Sequence, residues 1–201
     1  MSEKKHQLGM TLVEIIVSLA MFGIIVTGVY NIFRVHNLMA TKQEETTKMQ
    51  QELLTTLIII SDDLRMCGYK PLNSNSDFGL KIGTSDLGTN QESIYCTRGR
   101  TTTSENATVE IAYKKNNSNQ ILSYNTSNSS WIVASDNISE IKFAYFNSDE
   151  EELSIPLNAT TARDVRMIEI NATATASQSR SNMNIRDRNM STRVWLRNLD
   201  F

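Results

Sequence analysis

A long apolar run near the amino terminus, entered directly after a carboxylate, constrains this chain more than any other feature. Residues 15–33 are nineteen consecutive residues without a charged side chain. At about 1.5 Å of helix per residue, they reach roughly the 30 Å thickness of the hydrocarbon core of a bilayer. The sequence therefore predicts one membrane-spanning helix.

Glu14 stands at the start of this run and needs a partner. A carboxylate inside a membrane span costs about 2.5–3.5 kcal/mol on insertion scales, and less near the interface where Glu14 is expected. Its retention indicates a cation that reaches it after insertion.

The residues around the carboxylate are Gly9-Met10-Thr11-Leu12-Val13-Glu14. They resemble the processing site of type IV prepilins and pseudopilins, in which a prepilin peptidase cleaves after the glycine and methylates the new amino terminus. That family usually has Phe where this chain has Met10, and an apolar residue is retained. The resemblance implies that residues 1–9 are a leader, that the Gly9–Met10 bond is cleaved, and that Glu14 pairs with the amino terminus of a neighbouring subunit, its Met10.

Two other interpretations of the segment stay open. An ordinary secretory signal would be cleaved at an Ala-x-Ala site after the apolar run, and no such site follows Phe33. An uncleaved single-pass anchor is the second. Lys4, Lys5 and His6 precede the span and the rest of the chain is acidic, so the positive-inside rule predicts an amino end in the cytoplasm and a head outside it.

The helix is expected to continue beyond the span, from about Thr11 to Cys67. Residues 34–52 contain neither Pro nor Gly, Gly68 suits a left-handed cap, and Pro71 bars continuation. We assign residues 10–33 to the membrane or filament-core half and residues 34–67 to an amphipathic half. One face of the second half, expected to pack on a sheet, carries apolar residues at helical spacing: Met49, Leu53, Leu57, Ile60 and Leu64.

Residues 68–201 read as a β-rich head. Its first part is polar and irregular, with at most one short strand near Leu80. A helix followed by successive short strands predicts an α+β, pilin-like fold with a mainly antiparallel sheet. Strands are predicted at residues 93–97, 108–114, 120–124, 131–134, 139–146, 165–174 and 193–199. The second and third of these are expected to form a hairpin.

Charge and cysteine content narrow the function. Without residues 1–9 the chain has 18 basic and 21 acidic residues, a formal charge of −3. A protein that binds nucleic acid usually carries a basic surface, so this charge does not indicate nucleic-acid binding.

In an oxidising compartment Cys67 and Cys96 would close a loop of 28 residues, and this disulfide would stabilise the fold by roughly 3–4 kcal/mol. Spacing alone leaves this disulfide and two unpaired thiols both open.

No catalytic, cofactor or metal site is predicted. His6 and His36 have no carboxylate or cysteine arrangement around them, and the cysteines lack metal-ligand spacing. The acidic residues 149–152 read as a solvated turn, with calcium binding as the alternative. The last third of the chain is rich in arginine. These arginines are expected to keep the strand faces soluble and to contact other subunits, with DNA binding as the alternative; they are Arg163, Arg166, Arg180, Arg186, Arg188, Arg193 and Arg197.

Gly23 and Gly28 lie inside the apolar run, where each lowers helix stability by up to about 1 kcal/mol relative to Ala. Close approach of another helix explains them. The family resemblance implies an alternative, in which the helix loosens there when the subunit enters a filament.

Three further segments, residues 63–69, 136–145 and 194–199, are similar to PilW-type minor pilins and to J-type pseudopilins of type II secretion. The resemblance implies a structural subunit that initiates or caps pilus assembly, and no enzyme. Its expected partners are other minor and major pilins or pseudopilins, prepilin peptidase, an inner-membrane assembly platform, and lipid before assembly. A tip-located adhesion or DNA-uptake module, presenting loops 73–91 and 147–161, is the alternative of a different class.

Overall fold

The computed structural model describes residues 11–71, 78–83, 87–100, 108–177 and 185–196. The chain divides into two compact units, Met1–Glu44 and Glu45–Phe201. One helix, α1 (Leu12–Arg65), supplies the described part of the first unit and begins the second. Its 54 residues include Gly23 and Gly28 but no proline, and no residue after Gly28 breaks the helix before its end.

In the second unit, one face of α1 is buried as its periodicity predicts. The buried apolar residues are Met49, Leu53, Leu57, Ile60 and Leu64. The helix ends at Arg65, two residues before the predicted end, because the N–H groups of Met66 and Cys67 bond three residues back, to the carbonyls of Asp63 and Leu64. Gly68 follows with a φ of 77°, the left-handed conformation expected of it.

In the described part of the chain, nine strands form two antiparallel sheets, so the predicted α+β architecture is confirmed. Sheet one has the order β1-β2-β3-β4-β5, and sheet two has the order β7-β6-β8-β9. The elements after α1 are β1 (Gly79–Leu80), β2 (Ser93–Gly99), β3 (Thr108–Lys115), β4 (Ile121–Asn125), β5 (Ser130–Ser135), β6 (Ile138–Phe146), β7 (Glu152–Leu153), α2 (Thr161–Asp164), β8 (Met167–Ala174) and β9 (Arg188–Trp195).

The predicted hairpin is formed by β3 and β4, with Tyr113 opposite Ser123. The last strand was predicted wrongly at residues 193–199. It starts at Arg188, because its polar first half pairs with β8 from Arg188 opposite Ala174, and residues 197–199 lie outside the described part of the chain. The two-residue β7 and the four-residue α2 were not predicted.

The helix face and the inner faces of both sheets form one hydrophobic core. Sheet two contributes alternate residues of its central strands, such as Ile141, Phe143, Ile168 and Ile170. A backbone hydrogen bond also joins sheet two to the segment just before β2. The N–H of Phe143 donates to the carbonyl of Gln91 at 2.8 Å, so the head of the second unit is one packed body.

Candidate assembly and membrane segment

Thr11 caps the start of α1. Its carbonyl accepts a hydrogen bond from the N–H of Ile15 at 3.3 Å, and its Oγ1 accepts one from the N–H of Glu14, also at 3.3 Å. Glu14 is the third residue of the helix, where the helix dipole favours a negative charge. Sequence reasoning passed over Thr11, although Thr-x-x-Glu before an apolar run is a recognised start signal.

Glu14 is exposed in the first turn of α1. Within the described residues its carboxylate makes no ion pair. The predicted cleavage site at Gly9 and Met10 lies outside the described residues. The carboxylate of Glu14 thus lies in an apolar helical segment, and no described residue pairs with it as a cation.

The large apolar side chains of the first unit are exposed. Between Leu12 and Met39, the large apolar residues are 39–74% exposed. Among the described residues, α1 is the one helix long and apolar enough to cross a membrane. So large an apolar surface requires lipid or protein around it.

Gly23 and Gly28 are not required by contacts within the chain. A Cβ atom built at either position meets nothing within 4 Å. The hydroxyl of Thr27 donates to the carbonyl of Gly23 at 2.8 Å, which satisfies that hydroxyl inside an apolar segment. Among the described residues, therefore, no close contact requires these glycines.

The two cysteines are joined. A disulfide links Cys67, just beyond the end of α1, to Cys96 in β2, with a Cα–Cα distance of 5.8 Å. Two backbone hydrogen bonds beside the disulfide join the same two segments, one donated from each side. The N–H of Gly68 donates to the carbonyl of Thr97 at 3.1 Å, and the N–H of Gly99 donates to the carbonyl of Tyr69 at 2.7 Å. The end of α1 is thereby fixed to sheet one.

Two polar contacts hold α1 to the head at other levels. The hydroxyl of Tyr113 in β3 donates to Oδ2 of Asp63 at 2.5 Å. Burial, and then Asp63, raise the pKa of Tyr113 above its ordinary value. Closer to the first unit, the amide of Asn137 donates to Oε2 of Glu52 at 3.2 Å.

Some of the predicted basic residues are used within the head. Arg193 bonds Glu169 at 2.6 Å and lies over the ring of Phe146, and this contact lowers the pKa of Glu169. Arg166 donates to the backbone carbonyls of Arg163 and Val165. Arg180 and Arg197 lie outside the described residues. The described arginines thus do not form a set of free cations.

The acidic residues 149–152 surround a turn built on Asn147. Its Oδ1 accepts hydrogen bonds from the N–H groups of Asp149 and Glu151, both at 2.9 Å. Its amide also donates to the side chain of Glu151 at 3.1 Å. Among the described residues, no three His, Cys, Asp or Glu side chains are grouped to hold a metal ion.

The two loops that sequence analysis proposed as a binding surface meet at one cleft. The cleft has a volume of about 390 Å³ and is lined by Gln91 from the first loop and by Glu152, Leu153, Ser154 and Ile155 from the second. Residues 72–77 and 84–86 of the first loop lie outside the described part of the chain.

Comparison with known families places a match at the amino terminus. The model of the prokaryotic N-terminal methylation motif matches residues 4–30. No curated protein matches the chain. The matched residues contain Gly9, Met10, the Thr11 cap and Glu14, together with most of the exposed apolar segment.

Proposed function

We propose that this chain, which belongs by its amino-terminal segment to the type IV prepilin and pseudopilin family, is a minor pilin of the PilW type that initiates or caps pilus assembly. Prepilins of this family are processed by prepilin peptidase and assemble with other pilins. The finer assignment rests on the similarity of residues 63–69, 136–145 and 194–199 to that type. In this proposal its work is interaction, and it is not an enzyme.

One observation carries the proposal: an exposed carboxylate, Glu14, at the start of a helix whose large apolar side chains are also exposed. In lipid this carboxylate is unfavourable. Cleavage after Gly9 would create an ammonium group on Met10 of the next subunit, and pairing the two would favour the fibre over the membrane. Lipid then surrounds the helix before assembly, and neighbouring pilin helices surround it afterwards.

In the same proposal the chain is a single-pass protein of the inner membrane, with its head outside the cytoplasm, before it enters the fibre. The positive residues Lys4 and Lys5 support this orientation. Its partners would be other minor and major pilins and the inner-membrane assembly platform.

Substitution of Glu14 tests the assembly role. Glu14→Val removes the charge, and Glu14→Asp is the matched control that keeps it. Both should insert and be cleaved, and the mature peptide should begin at N-methylated Met10 by mass spectrometry. We expect the valine variant to fall roughly tenfold or more in sheared fibres, because losing one partner of a desolvated ion pair costs several kcal/mol. Incorporation of Glu14→Val at the wild-type level would refute the pairing role.

A J-type pseudopilin of type II secretion, or a subunit of a competence system, would use the same architecture and differ in its partners. The neighbouring genes would distinguish between a pilus, a type II secretion system and a competence system. Minor-pilin genes beside a retraction motor favour a pilus, whereas a secretin cluster with exoproteins favours secretion.

The shared cleft supports a second candidate, a tip-located binding module. Gln91 and Ser154 face one volume of about 390 Å³, which offers backbone and side-chain polar groups to a ligand. Substituting Gln91 and Ser154 by Trp would fill the cleft. Loss of adhesion or DNA uptake with normal fibres would support binding, and loss of the fibres themselves would support assembly alone.

A further inference from the structure

The long edge strands of the two sheets differ in how they are protected. Among the described strands, β5 is the last of sheet one and β9 is the last of sheet two, so each has an unpaired outer side. Such an edge presents N–H and C=O groups to which another strand can add, and charged side chains normally prevent this. β9 carries Arg188 and Arg193, whereas β5, Ser130–Ser135, contains no charged residue and no proline. In the described head, β5 is therefore the long edge that lacks this protection.

Both faces of β5 leave apolar surface in water. Ile132 lies opposite Ser123, which lies opposite Tyr113, so its side chain is on the face of sheet one that packs on α1. Val133, the next residue, points to the outer face. Ile132 is 49% exposed and Val133 is 51% exposed. A strand added to β5 would cover both side chains.

A β-bulge determines where the regular part of this edge ends. Ile121 and Leu122 of β4 lie opposite Ser135 and Val133, so Ala134 is the extra residue of the bulge. The regular edge is therefore the stretch from the start of β5 to Val133. A segment that pairs with this stretch and continues past the bulge reaches a cleft of about 360 Å³ between α1 and the end of β5.

The charges of this cleft select the chemistry of the added segment. The carboxylates of Glu52 and Asp136 line the cleft together with the ammonium group of Lys48, so these three groups carry one net negative charge. Glu52 accepts from the neutral amide of Asn137, and Asp136 accepts from the neutral amide of Gln120. Neither carboxylate makes an ion pair within the described residues. A Lys or Arg side chain on the segment would supply a cation to them.

We propose that an extended segment of a different pilin subunit adds as a strand to β5. This segment has apolar side chains on both faces where it pairs with the edge, and a Lys or Arg residue where it reaches the cleft. The inference rests on the proposed function, in which this chain is a minor subunit that initiates or caps the fibre. The neighbours of such a subunit are different pilins, so the added strand comes from another chain and not from a second copy of this one.

Photo-cross-linking in cells that make the fibre tests the contact. The photoreactive amino acid p-benzoylphenylalanine replaces Ser130, Ile132 or Val133 of the full-length chain, one position at a time, and mass spectrometry identifies the linked peptides. Ser191, an exposed serine on the charged edge strand β9, is the matched control position. We expect all three positions of β5 to link to one segment of one other pilin, whereas Ser191 should not give this product.

Cysteine pairs then test whether the contact is a pair of strands. Ser130→Cys and Val133→Cys are each combined with single cysteines along the identified segment and treated with a short bismaleimide linker. Residues of paired strands advance together, so the best partners of positions 130 and 133 should lie about three residues apart in that segment. Cys67 and Cys96 are bonded to each other and buried, so the linker reacts only with the added thiol of this chain.

A charge placed on the edge should prevent the strand from adding. Val133→Lys should reduce the cross-linked product from position 130 by about tenfold or more, because an added strand would bury an ammonium group without a partner. Val133→Thr is the matched control, because threonine is also β-branched and uncharged, and it should keep the product. Val133 is half exposed, so both variants should fold, as the circular dichroism of the purified chains would show.

Exchange of charges tests the role of the cleft. Asp136→Lys should reduce the same product, and changing the cationic residue of the identified segment to Glu should restore it, which a folding defect would not do. Asp149→Lys, in an exposed turn of the head, is the charge control and should have no effect. No recovery with the exchanged charges overturns the assignment of a basic residue to the segment.

Links from Val133 alone would place the partner on the outer face of sheet one and overturn the added strand. Links to a second copy of this chain, or to a protein that is not a pilin, would overturn the occupant. The products are scored in membranes as well as in fibres. Normal entry of the wild type into fibres without these products rejects the inference and leaves the proposed function standing, whereas failure of the wild type to enter fibres rejects the proposed function itself.

Discussion

The hydroxyl of Tyr113 donates a hydrogen bond to the carboxylate of Asp63, 50 residues earlier in the chain, at 2.5 Å. Tyr113 is buried, with 1% of its surface exposed, and it reaches from the centre of sheet one to the last turn of α1. This contact lies one helical turn before the disulfide at Cys67. Helix and sheet are thus joined by a disulfide and, about one helical turn earlier, by a charge-assisted hydrogen bond.

Tyr113→Phe should destabilise the head by about 1.5–3 kcal/mol, the usual value of a hydrogen bond to a charged group. The measurement is urea unfolding of the full chain in detergent micelles, followed by the fluorescence of Trp131 and Trp195. Tyr124→Phe is the control, because the hydroxyl of Tyr124 makes no hydrogen bond within the described residues and should cost little. Equal unfolding midpoints for wild type and Tyr113→Phe would show that the bond adds nothing.

Alkaline pH should destabilise the head through its buried tyrosines. Burial raises the pKa of Tyr145 above its ordinary value of 10, and burial with a bond to Glu110 raises the pKa of Tyr95 to about 12. Above pH 10 the unfolded chain loses these protons while the folded chain keeps them. The stabilisation is therefore complete below pH 10 and is lost as the pH rises, by about 1.4 kcal/mol per pH unit for the buried Tyr145. The loss is smaller for the half-buried Tyr95, because solvent screens its contacts.

Tyr145→Phe isolates one of these groups. It removes the hydroxyl that donates to the carbonyl of Asn90 at 2.9 Å, so it should lower stability at pH 8 and reduce the slope of stability against pH between pH 10 and 11. Unfolding free energies at several pH values provide the slope. An unchanged slope would mean that Tyr145 does not hold its proton in the folded state.

Removing the disulfide should cost roughly 3–4 kcal/mol by the chain-entropy argument for a loop of this size. Cys67 and Cys96 are 29 residues apart in the chain, and both are fully buried. The double variant Cys67→Ser, Cys96→Ser should therefore unfold at lower urea. In the wild type, a reductant should produce thiols that react with maleimide only after urea has unfolded the head. A gel shift of the labelled protein measures this reaction. Rapid labelling without urea would contradict the burial of the disulfide.

Local patterns were sufficient to predict the helix and most strands. The spacing of Leu53, Leu57 and Leu64 identified the buried face of α1 because an amphipathic helix repeats in its own sequence. Gly68 could be assigned to the helix end for a similarly local reason, since its φ of 77° is one that other residues rarely adopt.

The remaining features depend on contacts that sequence spacing does not show. Arg188 belongs to β9 because it pairs with Ala174, not because its own segment alternates. The short helix α2 belongs to the core because Ala162 is buried. Its four residues are too few to show a helical repeat of apolar positions in the sequence. In the candidate site, Glu14 and the two cysteines were identified by residue type, whereas Tyr113 and Asp63 meet only in the folded head.

Gly23→Ala and Gly28→Ala separate the two explanations of the membrane glycines. A Cβ at either position meets no atom of the chain within 4 Å, so the isolated subunit should keep its helix and gain up to about 1 kcal/mol of helical stability for each change. If neighbouring helices approach closely at these glycines, the added methyl groups must reduce incorporation into fibres.

Circular dichroism of the purified variants and their abundance in sheared fibres give the two readouts, and Ser18→Ala in the same exposed segment is the control. If the glycines serve instead to let the helix loosen on assembly, Gly23→Ala and Gly28→Ala should act additively. Each alanine would oppose the same unwinding of the helix through its higher helix propensity, so the two effects would add. In a packing contact, the position nearest the neighbouring helix would instead account for most of the effect. Normal incorporation of the double variant would exclude both explanations, because a helix made stiffer and bulkier there would then assemble as well as the wild type.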